Sequence, residues 1–155
     1  MSSIRKPSVR LAELGIVLPD VAPPVAAYVP ATRVGDQVWT SGQLPFVDGV
    51  LAGTGRVGAE VTPEEAKAAA RIAGLNAIAA AASVAGGVDE IGRVLKAVVF
   101  VASHPEFTGQ PQVANGASEL LQDVFGDAGV HVRSAVGVAS LPLGACVEVE
   151  LIVGT

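Results

Sequence analysis

Near the C-terminal end of this 155-residue chain, one arginine and two glutamates stand in strand-like runs: Arg133 in HVRSAVGVAS, Glu148 and Glu150 in ACVEVELIV. A guanidinium presents a planar fork of N–H donors that grips a carboxylate through two parallel, charge-assisted bonds. A carboxylate can hold a water or take a proton from it. Arg133 and Glu148 are therefore charged groups through which this chain could do chemistry. The same residues also fit an ordinary solvated strand face, and spacing alone leaves both readings open.

The other chemistry-bearing residues lack the company they need. Gly53-Thr54-Gly55-Arg56-Val57-Gly58 matches GxGxxG, but that fingerprint works only where a strand turns directly into a helix, and here the helix signal starts at Pro63. No acid lies near position 78 to hold a ribose, so the stretch reads as a glycine-rich connection and no cofactor is expected. His104 and His131 lack ligand spacing, and no metal is expected. His131 lies close enough to Arg133 in sequence for a minor role at the same site. Cys146 has no histidine beside it and reads as a small apolar residue. Ser41 lacks the strained GxSxG turn of a serine hydrolase.

Composition narrows the class. Hydrophobic residues make up 50% of the chain, charged residues 16% and aromatics 4%, an apolar excess that calls for a membrane or a large interface between subunits. The longest unbroken apolar stretches, Ala77 to Ala82 and Ala97 to Ala102, are far shorter than the roughly 20 residues of a spanning helix. The basic N-terminus has no apolar region behind it, so no membrane association or secretion signal is expected and oligomerisation is. A net charge of −5 argues against nucleic acid as a partner, and a single cysteine suits a cytoplasmic location.

These residues need elements to position them. Residues 1–27 read as an irregular lead-in holding a short helix candidate, Val9 to Leu14, and the Pro-rich run LPDVAPPVAAYVP; a single domain spans 28–155. Gly35-Asp36 falls in a turn between two short strands, the second within Gln37 to Gln43. Thr62-Pro63-Glu64-Glu65 starts a helix by capping box, and the helix runs to about Val84 before Gly86-Gly87. Val94 to Val101 reads as a buried strand and Gln110 or Pro111 to Phe125 as a second helix. Val132 to Ala139 and Ala145 to Val153 read as a hairpin around Leu141 to Gly144. The order is ββαβαββ, an α+β fold with two helices on one sheet face and the other face left for neighbouring subunits.

Side-chain alternation in that hairpin puts Arg133, Ala135 and Gly137 on one side and Val132, Ser134, Val136 and Val138 on the other. Burying the latter row with Val147, Val149, Leu151 and Val153 pairs Ser140 with Ala145, so Gly137 faces Glu148 and Arg133 faces Ile152. Arg133 and Glu148 then share a face but stand about 13 Å apart at the usual strand rise. Either a ligand and water lie between them, or a neighbouring subunit completes each site.

The segment VRSAVGVASLPLGACVEVE resembles the C-terminal signature of the Rid (YjgF-like) family of reactive intermediate deaminases. Tyr28-Val29, the strand VWTSGQLP from Val38 to Pro45, Lys96 to Val101 and Asn115 resemble family segments in the same order, so the likeness covers about residues 26–155. The resemblance implies a chorismate-mutase-like homotrimer with sites between subunits. It further implies that Arg133 binds a substrate carboxylate, that Glu148 holds or activates water, and that Tyr28, Ser41, Gly42, Asn115 and Ala135 line the pocket. The implied reaction is hydrolysis of 2-imino acids, of the 2-iminobutanoate and 2-iminopropanoate type, to 2-keto acids and ammonia. An imine carbon is already electrophilic, so positioning and water activation suffice.

The sequence also departs from the family pattern. Ala135 stands where some members have cysteine, Gly137 where some have an acid, Ser118 where many have tyrosine, and Leu143 where lysine is common. These departures suggest a divergent subgroup. Two alternatives accompany the deaminase reading: a metabolite-binding trimer without catalysis, and an endoribonuclease or translation inhibitor, against which the acidic charge speaks.

Overall fold

A computed structural model describes residues 5–24 and 26–155; the first four residues and Val25, part of the lead-in, lie outside the described residues. The helices are α1 (Pro7–Glu13), α2 (Pro63–Ala85) and α3 (Gln110–Phe125). The strands are β1 (Ala31–Val34), β2 (Gln37–Thr40), β3 (Phe46–Val47), β4 (Val50–Leu51), β5 (Arg93–Ala102), β6 (Val132–Val138) and β7 (Val147–Gly154). The α+β order anticipated from sequence is present; α1 falls on the helix candidate of the lead-in, starting two residues earlier, and the small β3–β4 hairpin is added.

Local chemistry sets the helix ends. Thr62 Oγ1 accepts from Glu65 N and Glu65 Oε2 accepts from Thr62 N, both at 3.1 Å, so the predicted capping box closes. α2 stops where Gly86 turns left-handed, with φ 97°. By length and composition α2 could cross a bilayer, yet 67% of its apolar window is buried inside the fold. Its alanines pack against α3 and the sheet, forming one core with Val94, Ala97, Val99 and Val101 of β5 and Val147, Val149, Leu151 and Val153 of β7. In the lead-in, α1 is tied to α3 by Arg10 Nε donating to Asp123 O at 2.8 Å, and to the turn after α2 by Ser8 Oγ donating to Asp89 at 2.7 Å.

The main sheet runs β1-β2-β7-β5-β6, antiparallel except for the parallel β5–β6 pair that α3 connects. This overturns the predicted hairpin. β6 and β7 are not neighbours; β5 lies between them, pairing Ala97 with Arg133 on one side and with Leu151 on the other. An edge strand must leave a row of backbone N–H and C=O groups unpaired, and β5, apolar from Ala97 to Ala102, is poorly suited to that. It takes the interior position, and β6, which carries Arg133, Ser134 and Gly137, takes the edge.

The faces change with the pairing. Val132 and Val136 are 67% and 44% exposed, so the valine row of β6 is not buried with that of β7. Arg133, Ala97 and Leu151 stand in one cross-strand row on the helix-covered face. Val136, Phe100 and Glu148 stand in another, and alternation along β7 turns that row to the face without helices.

Candidate functional site

Arg133 and Glu148 therefore occupy opposite faces of the sheet, not one face as the hairpin register required. They stand two strands apart, roughly 10 Å across the sheet, and three residues along it. Each is the centre of its own cluster.

The arginine cluster is built by β6 and α3. Pro111, Asn115 and Ser118 follow one another at i, i+4 and i+7, which places them on a single stripe of α3 facing β6. Arg133 Nη1 donates to Asn115 Oδ1 at 2.8 Å and to Ser118 Oγ at 3.1 Å, while Nη2 makes a long 3.4 Å contact with Pro111 O. Both Nη1 hydrogens are thus engaged. Among the described residues nothing accepts from Nε, so the Nε–Nη2 edge is the fork left for an incoming carboxylate. Behind the guanidinium, Ser118 Oγ lies 2.9 Å from His131 Nε2, and His131 Nδ1 lies 2.6 Å from Gly129 O. Ala135, two residues on, shares the face of Arg133, is partly buried and packs on the core, lining the floor with a small side chain.

The glutamate cluster is built by β7 and the segment after β2. Gln43 and Val149 exchange backbone hydrogen bonds at 2.8 and 2.9 Å, which lays Ser41 and Gly42 beside Glu148. A Cβ at Gly42 would overlap the Glu148 carboxylate, so only glycine lets that side chain lie where it does. Burial pushes the Glu148 carboxyl above its ordinary value, and the nearby Glu150 charge adds to the rise. Ser41 Oγ donates to Val29 O at 2.6 Å and Ser41 N donates to Pro30 O at 2.8 Å, fastening residues 28–30 across the end of β2. Tyr28 is half-exposed there and, with Pro30, Gly42 and Leu44, edges a crevice of about 30 Å³, enough for a water and little more.

The structure thus sorts the sequence-derived residues into two sets: Arg133, Asn115 and Ala135 in one, Glu148, Gly42, Ser41 and Tyr28 in the other. Sequence reasoning placed Asn115 by resemblance and noted Ser118 and His131 only in passing. The link of Asn115 and Ser118 to Arg133 was written in the polar stripe on α3, which alternation along β6 alone could not show. Gly137, noted as a departure, has a local reason: a Cβ there would stand 2.8 Å from Gln110 Nε2 and 3.1 Å from Ser103 Oγ.

Comparison with known proteins places this geometry among relatives. The family model described as "YjgF/chorismate_mutase-like, putative endoribonuclease" matches residues 8–154. Protein TCP17 of Trypanosoma cruzi is 47% identical over 144 residues, 92% of this chain and 90% of the relative. The crystal structure of protein Atu1372 from Agrobacterium tumefaciens, described as of unknown function, superposes with a TM-score of 0.87 at 45% identity, covering 96% of this chain and 91% of that one. RidA from the Antarctic bacterium Psychrobacter sp. PAMC 21119 is 29% identical with a TM-score of 0.60, over 88% and 94% of the two chains.

Proposed function

The chain belongs to the YjgF/chorismate-mutase-like family, and from that premise we propose that it hydrolyses small 2-imino acids to 2-keto acids and ammonia. The observation that carries this reading is the state of Arg133. Its Nη1 is held by Asn115 and Ser118 while the Nε–Nη2 edge stays open, as a pre-set carboxylate anchor requires.

The carboxylate of the imino acid lies along that edge, and the imine carbon beside it is presented to water. The water oxygen bonds to C2, its proton passes to the nitrogen, and the carbinolamine collapses to C=O as the C–N bond breaks and ammonia leaves. Glu148, raised by burial, is suited to exchange a proton with that water on both legs of the sequence. Gly42 keeps its carboxyl in place, and Tyr28 and Ser41 border the substrate.

One protomer cannot unite the two clusters, since they face opposite ways. The reading therefore includes a homotrimer in which the Arg133 edge of one subunit meets the Glu148 face of the next. The exposed valines of β6, the half-exposed Trp39 and the unpaired rim of the sheet support such an assembly. Cleavage of RNA fits the site less well. His131 has both ring nitrogens bonded and His104 Nδ1 accepts from Glu106 N at 3.2 Å, so neither is set up as one of an acid–base pair.

The test is ammonia release from imino acids generated in situ from several amino acids by an amino-acid oxidase. The purified chain should accelerate it, and Arg133→Ala should not. Binding of pyruvate without any acceleration would instead favour a metabolite-binding protein, and equal activity in Arg133→Ala would end the proposal.

A further inference from the structure

Behind Arg133 lies a chain of three contacts whose direction is fixed by chemistry. Gly129 O can only accept, so at 2.6 Å His131 Nδ1 must carry the hydrogen. In the neutral imidazole Nε2 is then the acceptor, and at 2.9 Å the Ser118 hydroxyl donates to it. The Ser118 oxygen consequently turns a lone pair, not a proton, toward Arg133 Nη1 at 3.1 Å.

We infer that His131 is a positioning residue for the anion site: by orienting the Ser118 hydroxyl it holds Arg133 with its Nε–Nη2 edge outward. This rests on the reading of Arg133 as the carboxylate anchor. Without an acceptor at the Nε2 position, the Ser118 hydroxyl is no longer turned one way, and its lone pair is no longer fixed on Nη1. Nη1 then keeps Asn115 Oδ1, at 2.8 Å, as its one directed acceptor, and the fork loses part of its orientation. The cost falls on carboxylate binding and not on the water-addition step, which takes place on the imine carbon.

Ser118 is buried, small, and one turn from Asn115 on the same stripe of α3.

The test uses the full chain, with pyruvate as the carboxylate probe and titration calorimetry as the readout. His131→Leu should raise the pyruvate Kd about five- to tenfold, the scale of one ordinary hydrogen bond. It should raise KM for the imino acid by the same factor with kcat unchanged, and Ser118→Ala should behave alike. His131→Gln, whose Oε1 falls near the position of Nε2 and accepts, should recover most of the affinity. With only two histidines, ¹⁵N spectra of the native chain report the tautomer directly, and His131 should be the Nδ1–H form. An Nε2–H tautomer, or a His131→Leu variant that binds pyruvate as tightly as the native chain, would overturn the inference. If Arg133→Ala loses pyruvate while His131→Leu does not, only the positioning role fails. If Arg133→Ala retains pyruvate, the proposed function fails with it.

Discussion

The two clusters are prepared for chemistry by opposite means. Around Arg133 the protein spends hydrogen bonds: three acceptors on α3 hold one side of a guanidinium and leave the other side free. Around Glu148 it withholds water, laying the carboxyl over a bare glycine next to a second acid. A cation that is always charged needs direction, while a carboxyl needs its proton affinity adjusted. Orientation and desolvation are the respective tools.

The largest effect expected from breaking this contrast is at the cation. Arg133→Ala should lower kcat/KM for imino-acid hydrolysis at least about a hundredfold, since it removes a charge-assisted bidentate contact. Steady-state ammonia assays on the folded variant measure it. The next effect is a recovery. If each site joins the Arg133 of one subunit to the Glu148 of the next, equal mixing of Arg133→Ala and Glu148→Gln chains should return about a quarter of native activity, because one interface in four is intact in a random trimer. Refolding the two variants together and apart shows it; no recovery would mean that both groups act from the same chain.

At the carboxyl, Gly42→Ala displaces the flexible end of Glu148, not backbone. It should cost about tenfold in turnover while Tm moves only a few degrees, the pattern of a group misplaced by a small side chain. The smallest effect is a titration. In Arg133→Ala Glu148 should titrate above the ordinary carboxylate value, and, if each site joins two subunits, higher than in the native protein. A folded-state pKa raised in this way contributes stability that is present below the unfolded value near 4.5 and lost as pH rises through the folded one. In that background, adding Glu148→Gln should therefore raise Tm at pH 7 by about 2 °C, with the gap closing below pH 4. Carboxyl ¹³C titration and thermal melts check the two halves.

Much of the fold could be read from residues that act on their own neighbours. The start of α2 follows from Thr62, Pro63 and Glu65, its end from Gly86, and β5 from a valine-rich run that only Lys96 interrupts. The two strands around Gly35-Asp36 were equally plain. What could not be read was which strands sit side by side. Val132 to Val138 and Val147 to Val153 alternate as two halves of a hairpin would, and their antiparallel directions agree with one. Nothing in the alternation reports that a third strand lies between them. That one insertion moved Arg133 to the helix side and left Glu148 on the other. The residues named by resemblance could be assigned to elements from the sequence, but their division into two clusters is a property of sheet order. Ser118 escaped notice as a partner of Arg133 because the contact joins a helix stripe to an edge strand.

The placement of β7 carries a further consequence. β7 is the third of five strands in the sheet, seated between β2 and β5. Without it the β1–β2 hairpin and the β5–α3–β6 unit share no strand. Damage to β7 would therefore split the sheet through its middle, whereas the same damage to β1 or β6 would trim only a border.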